Sequence, residues 1–343
     1  MNTEMPVTST CPDSKSALNV SIIVSAAIIF FTGLIGNITV LLIIIKKRKY
    51  GTSDLVYRLI GNLALYDILL LLFSWPIELT ASLTPMLSGQ PLCYFCSSFP
   101  ILLNTGTAVT MVMIALDRYW VLLKNVNPNS KERRKCLILV FILLVALGYS
   151  SPVITYTVFA HRTIQLMKIR NRTCKTSSIC FLHFDSNNQP FFSIELAQIY
   201  FVTRYVMIYV LPLIVVVTIY SKIMRNLQSR IIIKKSITYT TFAKAQKKLI
   251  RKLLILVIVF FVMSSPGRIY YLIVHFNPRL YHDSCYLKYQ SQFLICQLIG
   301  ISRCSLNPLL YASAIPGFEL ALRNLLYHCC SRLNQVIKIK NFV

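Results

Sequence analysis

The sequence predicts an all-α membrane protein: seven transmembrane helices followed by a short amphipathic eighth helix. Three observations lead there. The chain of 343 residues is 55% hydrophobic and 14% charged, where a soluble domain is about 45–50% apolar and about 25% charged. Its apolar residues form long blocks, and its basic residues cluster between them. Residues 16–45, 79–116 and 136–160 carry no charge over at least one span's length, and a crossing needs about 20 such residues. Residues 59–77, 196–221, 253–274 and 289–311 are each interrupted by one ionisable group: Asp67, Arg204, Arg268 and Arg303 respectively. Unpaired backbone groups are too costly in hydrocarbon, so all seven blocks are expected to be helices.

The charge pattern orients the bundle. Lys46, Lys47, Arg48 and Lys49 follow the first block, and Lys131, Arg133, Arg134 and Lys135 lie between the third and fourth. Between the fifth and sixth, residues 222–252 hold ten Lys and Arg and no acid. Arg323, Arg332, Lys338 and Lys340 follow the seventh. These segments belong on the cytoplasmic side, with the N-terminus outside and the protein multi-pass in the plasma membrane. The net charge of +25 is then topology and attraction to anionic lipid, not a nucleic-acid footprint, since no nucleic-acid-binding module accompanies it. The expected organisation is an extracellular segment 1–17, a membrane domain 18–312 and a cytoplasmic segment 313–343. Residues 1–16 lack a basic leader pattern, so the first block is expected to act as its own insertion signal. No phosphate loop, zinc motif or nucleophile elbow is present and the five His are scattered, so neither enzyme, metal nor cofactor is expected.

Short motifs recur at set places along these blocks. The first has Gly36-Asn37 and the second Asn62-Leu63-Ala64-Leu65-Tyr66-Asp67. The third runs from Cys93 to Asp117-Arg118-Tyr119. The fifth has Pro212 with Tyr220 eight residues on, and the sixth has Phe260 and Pro266. The seventh ends Asn307-Pro308-Leu309-Leu310-Tyr311, with Phe318 beyond. In order and spacing the chain resembles a rhodopsin-like (class A) G protein-coupled receptor over nearly its whole length. The resemblance implies an extracellular ligand and a heterotrimeric G protein as partners. It makes Asp67, Asp117, Arg118, Tyr220, Phe260, Pro266, Arg303, Asn307, Pro308 and Tyr311 the activation switch, with Arg118 held by Asp117 at rest. Physically, Asp67 is a mid-membrane carboxylate, a functional site by default, and the three prolines break helical hydrogen bonds.

The departures are informative. The sixth block reads Met263-Ser264-Ser265-Pro266 where the family has Cys-Trp-x-Pro, and Gln246, beside Lys247 and Lys248, replaces the usual acidic partner of Arg118. A resting-state restraint is weakened, and ligand-independent signalling is expected. In the family, Asp67 and polar groups of the seventh span hold sodium; here Arg303 stands in that set. A guanidinium beside a buried carboxylate should pair with it and take the ion's place. The alternative is that Arg303 turns toward the ligand cavity.

On the outer side, the resemblance pairs Cys93 with Cys180. Cys11 and Cys285 are the expected second bond, as in chemokine receptors and several other peptide or nucleotide receptors. Cys96 and Cys174 leave the pairing among four cysteines open. Asn19 and Asn171 begin glycosylation sequons. The family's amine-binding Asp is replaced by Pro100, which opposes an amine ligand. Ligand-facing candidates are Glu78, Asn104, Arg204, Tyr205, Arg268 and Tyr271. Two arginines in a cavity favour a carboxylate or phosphate on the ligand; snorkelling of Arg204 or an Arg268–Glu78 pair is the structural alternative. The long second outer loop, about residues 155–195, suits a peptide. Residues 304–312 and Cys329-Cys330 resemble chemokine receptors and their viral homologues, although the N-terminal segment has only Glu4 and Asp13 as acids and no Tyr. A peptide is the favoured ligand and a small anionic molecule the alternative. A transporter using Asp67 and Arg303, or a non-signalling ligand sink, are rival readings.

On the inner side, residues 316–328 read as an amphipathic helix on the lipid surface, followed by Cys329 and Cys330 as palmitoylation candidates or plain thiols. Ser331 is the single hydroxyl in residues 329–343, so phosphorylation can add little charge there. Weak agonist-driven arrestin recruitment is expected in a proximity assay, and strong recruitment would contradict this.

Overall fold

A computed structural model describes residues 14–49, 55–77, 79, 90–124, 137–148, 157–158, 181–182, 199, 202–234, 237–276 and 286–314. Helix α1 is Ser14–Lys49. Helix α2 begins with Leu55–Leu69 and runs through a wider π-helical turn, Leu70–Ser74. Helix α3 is Gln90–Leu123 and α4 is Leu137–Gly148. Strands β1 (Thr157–Val158) and β2 (Phe181–Leu182) pair antiparallel. Helix α5 comprises the π-helical turn Val206–Val210 and Leu211–Lys234. Helices α6 and α7 are Ile237–Phe276 and Tyr286–Ala314. Six of these helices are long and apolar enough to cross a membrane, and α4 is a shorter apolar helix.

The packing follows from lipid as solvent. Large apolar side chains such as Phe31, Ile35, Leu144, Val262 and Leu309 are exposed, whereas Asn37, Asp67, Asn104, Thr110, Asp117, Arg118, Arg303 and Asn307 are buried. Hydrocarbon solvates the former, and only other groups of the protein, on the same or a neighbouring helix, can satisfy the latter. Helix α1 packs on α2 and α7, α2 on α3, α3 on α5, α5 on α6 and α6 on α7, closing a ring. The α1–α7 contact is close because Gly36 faces Pro308: a Cβ at Gly36 would stand 2.7 Å from Pro308 Cγ.

Proline shapes several helices. Both π-helical turns end two residues before a proline, Pro76 and Pro212. A proline ring crowds the carbonyl four residues back, and a wider turn relieves that. Trp75 N–H accordingly reaches Leu70 O, and Leu211 N–H reaches Val206 O. Pro308 in α7 leaves Cys304 O without its usual helical donor. Asn37 Nδ2 fills the gap, donating to Cys304 O at 2.8 Å and to Gly33 O at 2.9 Å.

Several expected boundaries differ. The fourth block was expected to remain helical through residue 160, but Thr157 and Val158 are extended, with their backbone paired to Leu182 and Phe181. Helix α3, Gln90–Leu123, covers the stretch from Cys93 to Asp117-Arg118-Tyr119 that the motifs mark, and so runs past the charge-free block that ends at residue 116. Helices α5 and α6 run well beyond their apolar blocks, leaving only residues 235–236 between them. Hydropathy reads only the part of a helix that lies in hydrocarbon, and these ends carry the basic residues. Glu78, Cys11, Cys180, Cys285, Asn171, Cys329, Cys330 and the expected eighth helix lie outside the described residues, as do the side chains of Asn19, Cys93 and Tyr271.

Gly36→Val is expected to destabilise the protein by about 1–3 kcal/mol through overpacking, read as a lower thermal midpoint in detergent. Gly61→Ala is the control, since a Cβ there meets nothing closer than 3.7 Å; equal midpoints for the two variants would refute the close-contact argument.

Candidate functional site: a buried ionic cluster in the bundle

Asp67, on α2 three residues before the π-helical turn, is fully buried. Its Oδ1 accepts from Arg303 Nη1 at 3.2 Å and from Cys304 Sγ at 3.3 Å, and its Oδ2 accepts from Asn307 Nδ2 at 2.7 Å. The three donors come from one face of α7, at spacings of one and four residues, so a helix presents them together. The other arm of Arg303, Nη2, donates to Asn104 Oδ1 of α3 at 2.8 Å. The guanidinium also lies over the Phe260 ring of α6, 4.8 Å from its centroid. One side chain of α7 thereby contacts α2, α3 and α6.

The chemistry is that of a neutralised buried charge. Arg303 is 2% exposed, and either ion alone in this interior would cost several kcal/mol, about 3–5 kcal/mol for breaking a buried pair. A cation over a desolvated aromatic face adds about 2 kcal/mol. The carboxylate already holds a full positive charge and two further donors, so a mobile cation has little to gain there.

Near the C-terminal end of α3, Arg118 Nη2 and Nε donate to Asp117 Oδ2 at 2.6 and 3.0 Å, with both residues buried. Tyr220 of α5 and Tyr311 of α7 are also buried. Residues 237–276, the whole of α6, contain no Asp or Glu, so α6 has no carboxylate to offer Arg118.

Comparison with known proteins places this arrangement. Residues 36–311 match the family described as 7 transmembrane receptor (rhodopsin family). The chain belongs to that family. Among relatives, a substance-K receptor of Mus musculus is 25% identical over 299 residues, covering 86% of this chain and 72% of the relative. A substance-P receptor of Canis lupus familiaris is 22% identical over 305 residues, covering 88% and 70%. A substance-P receptor of Aquarana catesbeiana is 24% identical over 314 residues, covering 89% and 70%. This receptor is therefore a multi-pass membrane protein of a receptor family.

The residues expected to face ligand are brought together only in part. Arg268 of α6, two residues beyond Pro266, lies over the Tyr209 ring, 5.2 Å from its centroid. Tyr209 stacks on Tyr205 at 5.9 Å and on Phe260 at 6.1 Å. Arg204 is half-buried beside Tyr205 in the helical residues 202–205 that lead directly into α5. Asn104, expected to meet ligand, instead has both ends of its amide engaged inside the bundle: its Oδ1 accepts from Arg303, and its Nδ2 donates to Pro100 O at 2.6 Å. The arginine requires a neutral acceptor beyond the one carboxylate, and Asn104 supplies it. Sequence reasoning did not assign roles to Cys304, to Asn37 as the donor to the carbonyl freed by Pro308, or to Tyr209 as the centre of an aromatic stack. The Gly36-Asn37 pair was visible, but nothing in a linear sequence says which distant carbonyl lacks a partner.

Arg303→Ala is expected to lower stability by about 3–5 kcal/mol by stranding Asp67, whereas Asp67→Leu combined with Arg303→Met should recover most of the loss. Thermal midpoints of purified protein measure both, and a double variant no better than the single one would contradict the pairing argument. The wild-type midpoint is expected to be equal in sodium chloride and choline chloride.

Proposed function

We propose that this receptor sits in the plasma membrane with its N-terminus outside, binds an extracellular peptide and activates a heterotrimeric G protein at its cytoplasmic face. The observation that carries the signalling part is Arg118: it is buried at the inner end of α3 and clasped by Asp117 of its own helix, while α6 is without any acid. Movement of α6 away from α3 then separates Arg118 from no carboxylate of α6, so the restraint that such a carboxylate would impose on the resting state is missing. Tyr220 and Tyr311, buried on the flanking helices, turn inward to meet Arg118 when it is released.

The ligand part rests on Arg268. Its guanidinium is held over Tyr209, and among the described residues no carboxylate lies within ion-pair distance of it. An arginine fixed against an aromatic face keeps its N–H fork for a planar anion. A ligand carboxylate meets Arg268, with Arg204 near it on α5 and Tyr205 supplying an apolar wall. The relatives named for substance K and substance P support a peptide. The two arginines also suit a small anionic molecule, and that is the second reading. The β1–β2 pairing in the long outer loop supports a lid over a cavity open to peptides.

Membranes from cells expressing the receptor are expected to promote GTPγS binding on added heterotrimer above mock-transfected membranes, without ligand. Arg118→Ala should return the signal to mock level while leaving surface expression intact. Solute flux in proteoliposomes with no nucleotide exchange on any heterotrimer would replace this reading with a transporter, and ligand binding without exchange would replace it with a ligand sink.

A further inference from the structure

Helix α7 is a poor membrane crosser by itself. Of the six helices able to span, its apolar stretch, Gln292–Tyr311, is the shortest and the least apolar. Arg303 stands near the middle of that stretch, eight residues before Tyr311. Eight residues are about 12 Å of helix, so the guanidinium begins deep in hydrocarbon, where snorkelling gives it only partial relief. A centrally placed Arg shifts the partition of an isolated helix out of the bilayer by on the order of a hundredfold. Arg303 cannot shed its charge, because a guanidinium does not deprotonate in proteins. Asp67 differs, since a carboxyl can enter an apolar medium neutral by taking a proton, and its helix is the more apolar of the two. The demand is therefore one-sided: α2 can cross without α7, while α7 needs a partner for its cation.

The groups that meet this demand all lie on earlier helices. Asp67 of α2 and Asn104 of α3 take the two arms of Arg303, and Phe260 of α6 lies against its guanidinium. Asp67 also accepts from Cys304 and Asn307, so one carboxylate receives three of the polar side chains that α7 carries. Ser305 Oγ donates to Ile29 O of α1 at 2.9 Å. Ser302 stays local, its Oγ donating to Ile299 O at 2.7 Å. The other side of α7 needs no help in lipid: Ile295, Ile299, Leu306 and Leu309 are exposed there. Synthesis proceeds from the N-terminus, so every one of these acceptors has been made by the time α7 emerges.

We propose that Asp67 is the acceptor that brings α7 into the bilayer: the last helix crosses by docking its arginine on a carboxylate already seated in the bundle, and without that carboxylate it stays out. The dependence concerns how the chain enters the membrane. It holds whether or not the receptor signals and whatever ligand it takes.

The test uses the full chain with an N-glycan acceptor tag appended after Val343, translated in the presence of endoplasmic-reticulum microsomes. A tail on the cytoplasmic side escapes glycosylation. When α7 fails to cross, the tail is left in the lumen and gains one glycan, read as a mobility shift that is absent when the Asn of the tag is changed to Gln. Asp67→Leu is expected to raise the glycosylated fraction on the order of tenfold over wild type. Arg303→Met, and Asp67→Leu combined with Arg303→Met, should both stay at the wild-type level, because neither chain has a cation that needs a partner. The side of the tail is fixed during insertion, so a variant that later fails to fold is still read. An Asp67→Leu tail on the wild-type side would overturn the proposal and leave the ion pair a matter of stability alone. Displacement of the tail in the double variant would overturn it too. A wild-type tail that is itself glycosylated would overturn the orientation proposed above and not this dependence, which is then read as loss of the glycan in Asp67→Leu.

Discussion

Burying one positive charge in the middle of the bundle is the constraint on which the remaining arrangement depends. Arg303 has no water to solvate it, so every group around it must act as solvent. Asp67 supplies the opposite charge, Asn104 a neutral acceptor and Phe260 a ring face. Asn307 and Cys304 then satisfy the carboxylate oxygens that the arginine leaves open. Four helices are held at fixed relative positions by the requirement that no ionic group be left bare.

That requirement reaches outward through the backbone. Cys304 donates its thiol to Asp67, and its own carbonyl, freed by Pro308, is taken by Asn37 of α1. The approach of α1 that makes this possible needs Gly36 opposite the Pro308 ring. A helix lacking charge throughout its membrane segment is thereby tied to the ionic cluster by one amide and one missing side chain. The two π-helical turns serve the same interior. One follows Asp67 in α2, and the other carries Tyr209 in α5, so each turn has one side toward the buried polar and aromatic groups, while Leu72 and Phe73 or Val206 and Met207 are exposed on its other side. In hydrocarbon such irregularity is tolerated where protein covers it.

The C-terminal end of α3 is built differently. Arg118 is paired with its sequence neighbour, a contact that survives any rigid movement of α3, whereas Arg303 is paired across helices and cannot keep its partners if α7 shifts. The Arg118 arrangement agrees with the sequence, in which Gln246 stands in place of the usual acidic partner and α6 carries no acid.

Much of this was legible in the chain itself. Length and long apolar blocks establish helices in lipid, because the cost of unpaired backbone in hydrocarbon leaves few other solutions, and the clustered lysines and arginines set the orientation expected of them. The pairing of Arg303 with Asp67 was also readable, since two opposite ionisable groups in neighbouring uncharged stretches have little else to meet. Helix ends were not readable where basic residues extend α5 and α6 into water, for hydropathy is silent there. Nor could a linear reading assign Asn104 to the arginine and not to ligand, match Asn37 to the carbonyl released by Pro308, or bring Arg268 over Tyr209. Those depend on which faces of separate helices meet and at what height, and that is decided when all the buried polar groups are satisfied together.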